Sequence, residues 1–206
     1  MINRKRSTPY LSENGEFSDR CHMLARKLFY PDMFEVDPSN ITFENTTIGN
    51  GERANILDGE LAVDRTITVD RNNGLMPMMK YIQERFRRPD SSKYRDLTIT
   101  EWNHNSGLPS ELYKLKGGYF IYGYANHPAN PTNFIEVVSC MVQPMVSAIE
   151  NKQIQFIRKP NPRTGQTFIC LKFDDLKAAG LIYYHYRPGY HTTDIFDFID
   201  RRNTNA

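Results

Sequence analysis

The chain has 206 residues, 39% of them hydrophobic, with 12 Tyr and 12 Phe. That is enough length and apolar content for one domain with its own core, and too much aromatic content for a disordered chain. With 26 Lys and Arg against 24 Asp and Glu, the net charge is too small for the whole surface to attract an anion, so such a partner must be met by local basic patches.

The pattern predicts the following elements in chain order. Residues 1–17 are polar and read as a flexible segment. "SDRCHMLARKLFY" carries Cys21, Leu24, Ala25 and Leu28 at helical spacing, with Ser18 as N-cap and Pro31 as the stop. "DPSN" and "ENTTIGNGE" read as turns and loop, and "ERANILD" as a short helical piece. Leu61, Val63, Ile67 and Val69 then alternate with polar residues, a half-buried strand. "DRNNG" supplies a hairpin turn, and a return strand runs from Met78 to Arg87. "YRDLTITEW" is a third strand expected beside these two, and residues 108–116 a short helix stopped by Gly117 and Gly118. "YFIYGYAN" and "FIEVVSCMV" are further strands, residues 144–152 look helical, and "IQFIRKPNPRTGQTFICLKF" is a hairpin. "FDDLKAAGLIYYH" adds a last helix and strand.

These elements predict a mixed α/β (α+β) fold: a flexible segment at 1–17, one domain at 18–190 and a C-terminal tail at 191–206. Cys21, Cys140 and Cys170 are widely spaced and form no CxxC pair, which predicts small buried thiols in a reducing compartment. "MINRKRSTPY" has no apolar run after it, and no stretch approaches the roughly 18 apolar residues of a membrane span. The expectation is a soluble, cytoplasmic protein with no membrane partner.

The chemistry concentrates in "LAVD", ending in Asp64, and "IQERF", with Gln83, Glu84 and Arg85 inside an apolar run. Asp64 at the entry of one strand and Gln83-x-Arg85 on the next, after a helix and before a further helix and strand, resemble the core of the PD-(D/E)XK nuclease superfamily. That family places an Asp at the start of its second core strand and an acid-x-Lys triplet on the following one. Gln in the acidic slot is a variant of the pattern, and Arg in the Lys slot is the larger departure. The block from Leu57 to Tyr124 is also similar to uncharacterised phage and bacterial proteins of this kind.

The resemblance implies a restriction-endonuclease-like core with a mixed central sheet, and a metal-dependent endonuclease hydrolysing DNA. It implies Mg²⁺ or Mn²⁺ held by Asp64 and Gln83, with Arg85 stabilising transition-state charge. DNA is the implied partner, with a homodimer allowed. One Asp and a neutral amide hold a dication weakly, so a second carboxylate is expected from Glu52, Glu60, Glu84 or Glu101. Arg87, Arg88, Lys93, Arg95, Lys159 and Arg163 are the candidate nucleic-acid contacts. The plainer alternatives are a strand-end Asp64 capping a turn, a charged edge strand at 81–87, and solvated arginines. His104, His185 and His191 show no metal-ligand pattern. Trp102, Tyr113, Tyr119 and Tyr122 read as core, although an aromatic beside a basic groove can stack on a base. The second functional class is therefore a catalytically inactive nuclease-like fold that binds nucleic acid or a protein.

Overall fold

The computed structural model describes residues 9–45, 61–71, 74–116 and 118–189. Helix α1 (Pro9–Leu28) begins well before the expected Ser18. A proline is favoured in a first helical turn, where its missing N–H costs nothing. Phe17, Cys21 and Ala25 recur every four residues and form its buried stripe. Pro31 does not stop this helix. It sits in the first turn of a second one, α2 (Tyr30–Phe34), which ends at Glu35 in the left-handed region with φ 55°.

Six strands form the larger sheet in the order β1 (Ile41–Asn45), β2 (Arg65–Val69), β3 (Met78–Arg87), β6 (Tyr119–Ala125), β7 (Phe134–Met141) and β10 (Ile182–Tyr186). All neighbours are antiparallel except β3 and β6, which run parallel. The sheet is therefore mixed and flanked by helices, as expected. The 61–69/78–87 hairpin is present with Arg65 opposite Ile82 and Val69 opposite Met78. Its first strand starts at Arg65 rather than Leu61, because Ala62 takes φ 50° and breaks the extended run. Strand β1 was not expected. Its five residues offer only Ile41 and Phe43 as alternating apolar side chains, and it pairs at the sheet edge.

"YRDLTITEW" lies elsewhere than expected. Strand β4 (Asp96–Asn103) is not the third strand of the larger sheet; it belongs to a second, antiparallel sheet in the order β5 (Leu108–Pro109), β4, β9 (Gln166–Lys172), β8 (Ile157–Asn161). Parallel partners such as β3 and β6 need a crossover that returns the chain to the same end. Here the crossover is an excursion through β4, β5 and the short helix α3 (Glu111–Lys114), rather than one long helix. Helices α4 (Val142–Glu150) and α5 (Phe173–Ala178) complete the described residues.

Alternation along β6 separates two cores. Phe120, Tyr122 and Tyr124 join Leu97, Ile99, Ile169, Leu171 and Met145, whereas Tyr119, Ile121 and Ala125 join Phe17, Cys21, Ala25, Phe29 and Tyr30. Cys21 and Cys140 are fully buried, and burial pushes both thiols up to about 12. No helix among the described residues is long and apolar enough to cross a membrane.

The parallel pairing depends on Gly118, which has φ 78°; a Cβ there would lie 1.8 Å from the Tyr81 carbonyl oxygen. Gly118→Ala should lower stability by about 3 kcal/mol or more, since backbone strain adds to a clash that only movement of β3 can relieve. Gly107, with φ 65° and open space around it, should lose only about 1 kcal/mol on the same change. Urea denaturation of the two variants measures the difference.

Candidate nucleic-acid interface

Strand β3 is central, between β2 and β6, and not the charged edge strand that its sequence also allowed. Ile82, Glu84 and Phe86 face α1 and α2, while Gln83, Arg85 and Arg87 face the second sheet. A central strand shields its charged side chains from water on both faces, so each must find a partner within the protein.

On the helical side, the Glu84 side chain is 6% exposed. It accepts hydrogen bonds from the Tyr30 hydroxyl and from His22 Nδ1 at 3.0 Å, and lies 3.9 Å from Arg65 Nε. Burial, reinforced by the neighbouring Glu84 carboxylate, raises the Tyr30 hydroxyl well above its ordinary range, so it stays a proton donor. Asp64 enters this region by another route. Its Oδ2 accepts the Glu84 backbone N–H at 2.9 Å, and its own N–H donates to Ile82 O at 2.9 Å. The carboxylate thus stands where the next ladder partner of β3 would be.

On the opposite side, Glu111 gathers both members of the Gln83-x-Arg85 pair. Gln83 Nε2 donates to Glu111 Oε1 at 3.2 Å, and Arg85 donates to Oε2 at 2.6 Å and to Thr98 O at 3.2 Å. The Thr100 N–H completes the cage at 3.2 Å. Glu111 opens a four-residue helix, and nothing in the sequence distinguishes it from an exposed first-turn acid.

These positions do not fit a divalent metal site. Asp64 is committed to the Glu84 amide, Glu84 points to the other face of the strand from Gln83, and Glu101 is gripped by Arg158 through contacts of 2.8–3.1 Å. Gln83 Oε1 is buried without a hydrogen-bond partner. A dication bound there would share Glu111 with the Arg85 guanidinium and be repelled by it. Among the described residues no group of three or more His, Cys, Asp or Glu is placed to hold a metal ion. Glu52, Glu60 and His191 lie outside the described residues.

The six expected nucleic-acid contacts divide by location. Arg87, at the end of β3, and Lys159, on β8, line one cleft of about 210 Å³ together with Tyr94, Asp96, Thr98, Tyr122 and Phe168. Lys93 stands beside it, its Nζ 5.2 Å from the centre of the Tyr94 ring, with Lys159 Nζ at 5.7 Å. None of these three cations forms a salt bridge among the described residues. Arg88 leaves β3 on the other face, donates to Pro128 O at 3.1 Å and covers the Phe17 ring. Arg163 sits in the β8–β9 turn, where its N–H donates to Asn161 Oδ1 at 3.1 Å.

Arg95 is built into the frame. Its guanidinium donates to both Glu136 oxygens, at 2.9 and 3.0 Å, and to Asp174 at 3.2 Å. His185 Nε2 meets Glu136 Oε1 at 2.9 Å. Burial by itself would raise the Glu136 carboxyl, but the bonds from His185 and Arg95 outweigh it and hold the group at about 2. Reasoning from sequence missed Glu111, Glu136, His22 and Tyr94. Of these, Tyr94 alone had a legible signal: an aromatic between Lys93 and Arg95 in "SSKYRD" is the interleaving that nucleic-acid surfaces use.

Comparison with known proteins returns no matching family model, no matching curated protein and no matching solved structure.

Two tests follow from the geometry. Glu111→Ala leaves Arg85 largely buried and unpaired and should cost about 3 kcal/mol. Asp64→Ala, which frees one backbone N–H, should cost about 1–2 kcal/mol, and Asp64→Asn less because the amide oxygen still accepts. Chemical denaturation separates the three. A second test uses Glu136, whose folded value lies below its ordinary 4.5. Its contribution, up to roughly 3 kcal/mol, is fully present above pH 4.5 or so and is lost as pH falls toward 2. The stability gap between wild type and Glu136→Gln should therefore be widest near neutrality and close across that window in acid melts.

Proposed function

We propose that the chain binds nucleic acid without cutting it, through the Arg87–Lys93–Lys159 face. The observation that supports this most is the contrast among the cations. Arg65, Arg85, Arg95 and Arg158 each have a carboxylate within 4 Å, whereas Arg87 and Lys159, which line one aromatic-walled cleft, and Lys93 beside it form no salt bridge among the described residues. Exposed cations that form no salt bridge within the protein are the arrangement that draws in a phosphate backbone and releases its counterions. Binding without cleavage is what the described carboxylates favour, since Asp64 and Glu84 are engaged beside β3 and Glu101 by Arg158. The resemblance to the nuclease superfamily is compatible with such an inactive fold.

Fluorescence anisotropy with labelled DNA should show binding that weakens steeply with salt. Arg87→Ala and Lys159→Ala should each reduce affinity and flatten the slope of log affinity against log salt by about 0.7–0.9. Arg88→Ala, on the other face, should change neither. Plasmid incubated with Mg²⁺ or Mn²⁺ should remain intact, as it does with EDTA; metal-dependent nicking by the purified chain would return the endonuclease reading to first place.

A further inference from the structure

The cleft has a polarity that a simple phosphate groove lacks. Its cations stand at the rim: Arg87 and Lys159 are both exposed. Its floor holds a carboxylate, Asp96, which is 6% exposed, accepts from the Tyr124 hydroxyl at 3.3 Å and lies 3.9 Å from Lys172. Beside Asp96 a second polar pair, Thr98 Oγ1 and Tyr122 Oη, is joined at 3.0 Å with either oxygen able to donate. A phosphate pushed to the floor would meet the Asp96 carboxylate and be repelled, so a nucleotide can enter in one sense only: phosphate at the rim, base inward.

The walls suit a flat ring. Tyr94 is 49% exposed although its position is tightly defined. The 3-10 turn that carries it, Pro89–Tyr94, ends at Arg95 with φ 43° and an N–H bond to Ser92 O. Arg95 is fixed in turn by Glu136, and the Tyr94 carbonyl accepts from Lys172 Nζ at 2.6 Å. An aromatic whose backbone is pinned and whose ring is half bare is a platform placed for stacking. Phe168 lines the cleft as well. The volume of about 210 Å³ corresponds to about seven waters at roughly 30 Å³ each, room for one heterocycle and not for a base pair.

We infer that this cleft receives a single unpaired base carrying an exocyclic amino group, adenine, cytosine or guanine before thymine, from a single-stranded segment whose phosphates are held by Arg87 and Lys159. This rests on the nucleic-acid reading above and narrows it. The amino group donates to Asp96, the one acceptor-only group among these floor contacts, while the hydroxyl pair adapts to either edge chemistry. A base already paired in a duplex cannot present that edge without first being unstacked, which disfavours duplex.

The test uses the full chain and labelled homopolymers of equal length, together with a duplex. Oligo-dA and oligo-dC should bind about tenfold more tightly than oligo-dT, and single strands more tightly than the duplex. Tyr94→Ala should weaken single-strand binding by about tenfold, within the range that base–aromatic stacking supplies, while Tyr94→Phe retains it and the salt slope stays unchanged. 2-Aminopurine within the strand should lose emission on binding wild type and not on binding Tyr94→Ala. Asp96→Asn, checked for folding by circular dichroism, should erase the preference over oligo-dT. Should that variant not fold, the Tyr94 pair and the homopolymer ranking decide. Equal affinity for all homopolymers and for duplex would overturn the base-insertion inference and leave nucleic-acid binding standing. Adenosine monophosphate binding as tightly as the oligomer would make a free nucleotide the ligand and overturn the strand; no binding to any nucleic acid would remove both.

Discussion

Strand β3 carries Gln83, Glu84 and Arg85 through the middle of a six-stranded sheet, and a central strand cannot leave such groups to water. An unpaired charge inside a protein costs several kcal/mol, so the layers on either side must each supply a counterpart. Because successive side chains of a strand point to opposite faces, the three residues divide their demands between the two layers. The α1–α2 layer answers Glu84 with His22 and Tyr30, and the neighbouring strand β2 adds Arg65. The crossover layer answers Gln83 and Arg85 with Glu111. These bonds couple the packing on both faces to one strand register. A slip of β3 by one residue would exchange the two faces and break both sets at once.

Much of the architecture was legible in the sequence because it rests on periodicity. The alternation after Arg65 and the apolar strands at 119–125 and 134–141 specify local geometry, and the structure follows them. What was not legible is non-local. "DLTITEW" reads as a strand anywhere, and its alternation contains no information about which sheet receives it. The choice was made by the parallel β3–β6 pairing, which forces the chain out of the sheet and back. The long α1 was missed at its start because polar residues on its exposed side resemble loop, while the two buried anchors, Phe17 and Cys21, straddle the expected N-cap at Ser18.

The candidate site divides along the same line. Residue types and strand parity placed Gln83 and Arg85 on one face and Glu84 on the other, and β3 holds them so. Asp64 beside that strand was also legible, but instead of capping a turn it accepts the Glu84 backbone N–H of the neighbouring strand. The partners were not, because Glu111, His22 and Glu136 lie 26, 62 and 41 residues from Arg85, Glu84 and Arg95, and no spacing rule links residues that meet only through tertiary packing. Arg95 shows the consequence: nothing in its neighbours Tyr94 and Asp96 announces Glu136, yet the left-handed turn it occupies places it against that carboxylate.

That turn connects the strain of the fold to the place where a ligand can act. Residues 88–95 are where the chain leaves the larger sheet for the smaller one, and side chains from both sheets line the cleft beside them. The crossover that parallel pairing requires thus supplies part of the cavity's wall, and the Arg95–Glu136–His185 bonds fix the backbone beside its rim. The cations are sorted by the same geometry. Those directed into the layers are neutralised and serve the fold, and those directed into the gap between the sheets, Arg87 and Lys159, keep their charge available. Their self-repulsion near Lys93 is an unfavourable term that the folded protein tolerates, and a bound polyanion would relieve it. Electrostatic relief of that kind grows with the number of cations gathered and fades with salt, whereas stacking on Tyr94 depends on neither. On the proposed reading the two contributions are separable in solution, the rim governing how strongly a backbone would be held and the interior which base would be accepted.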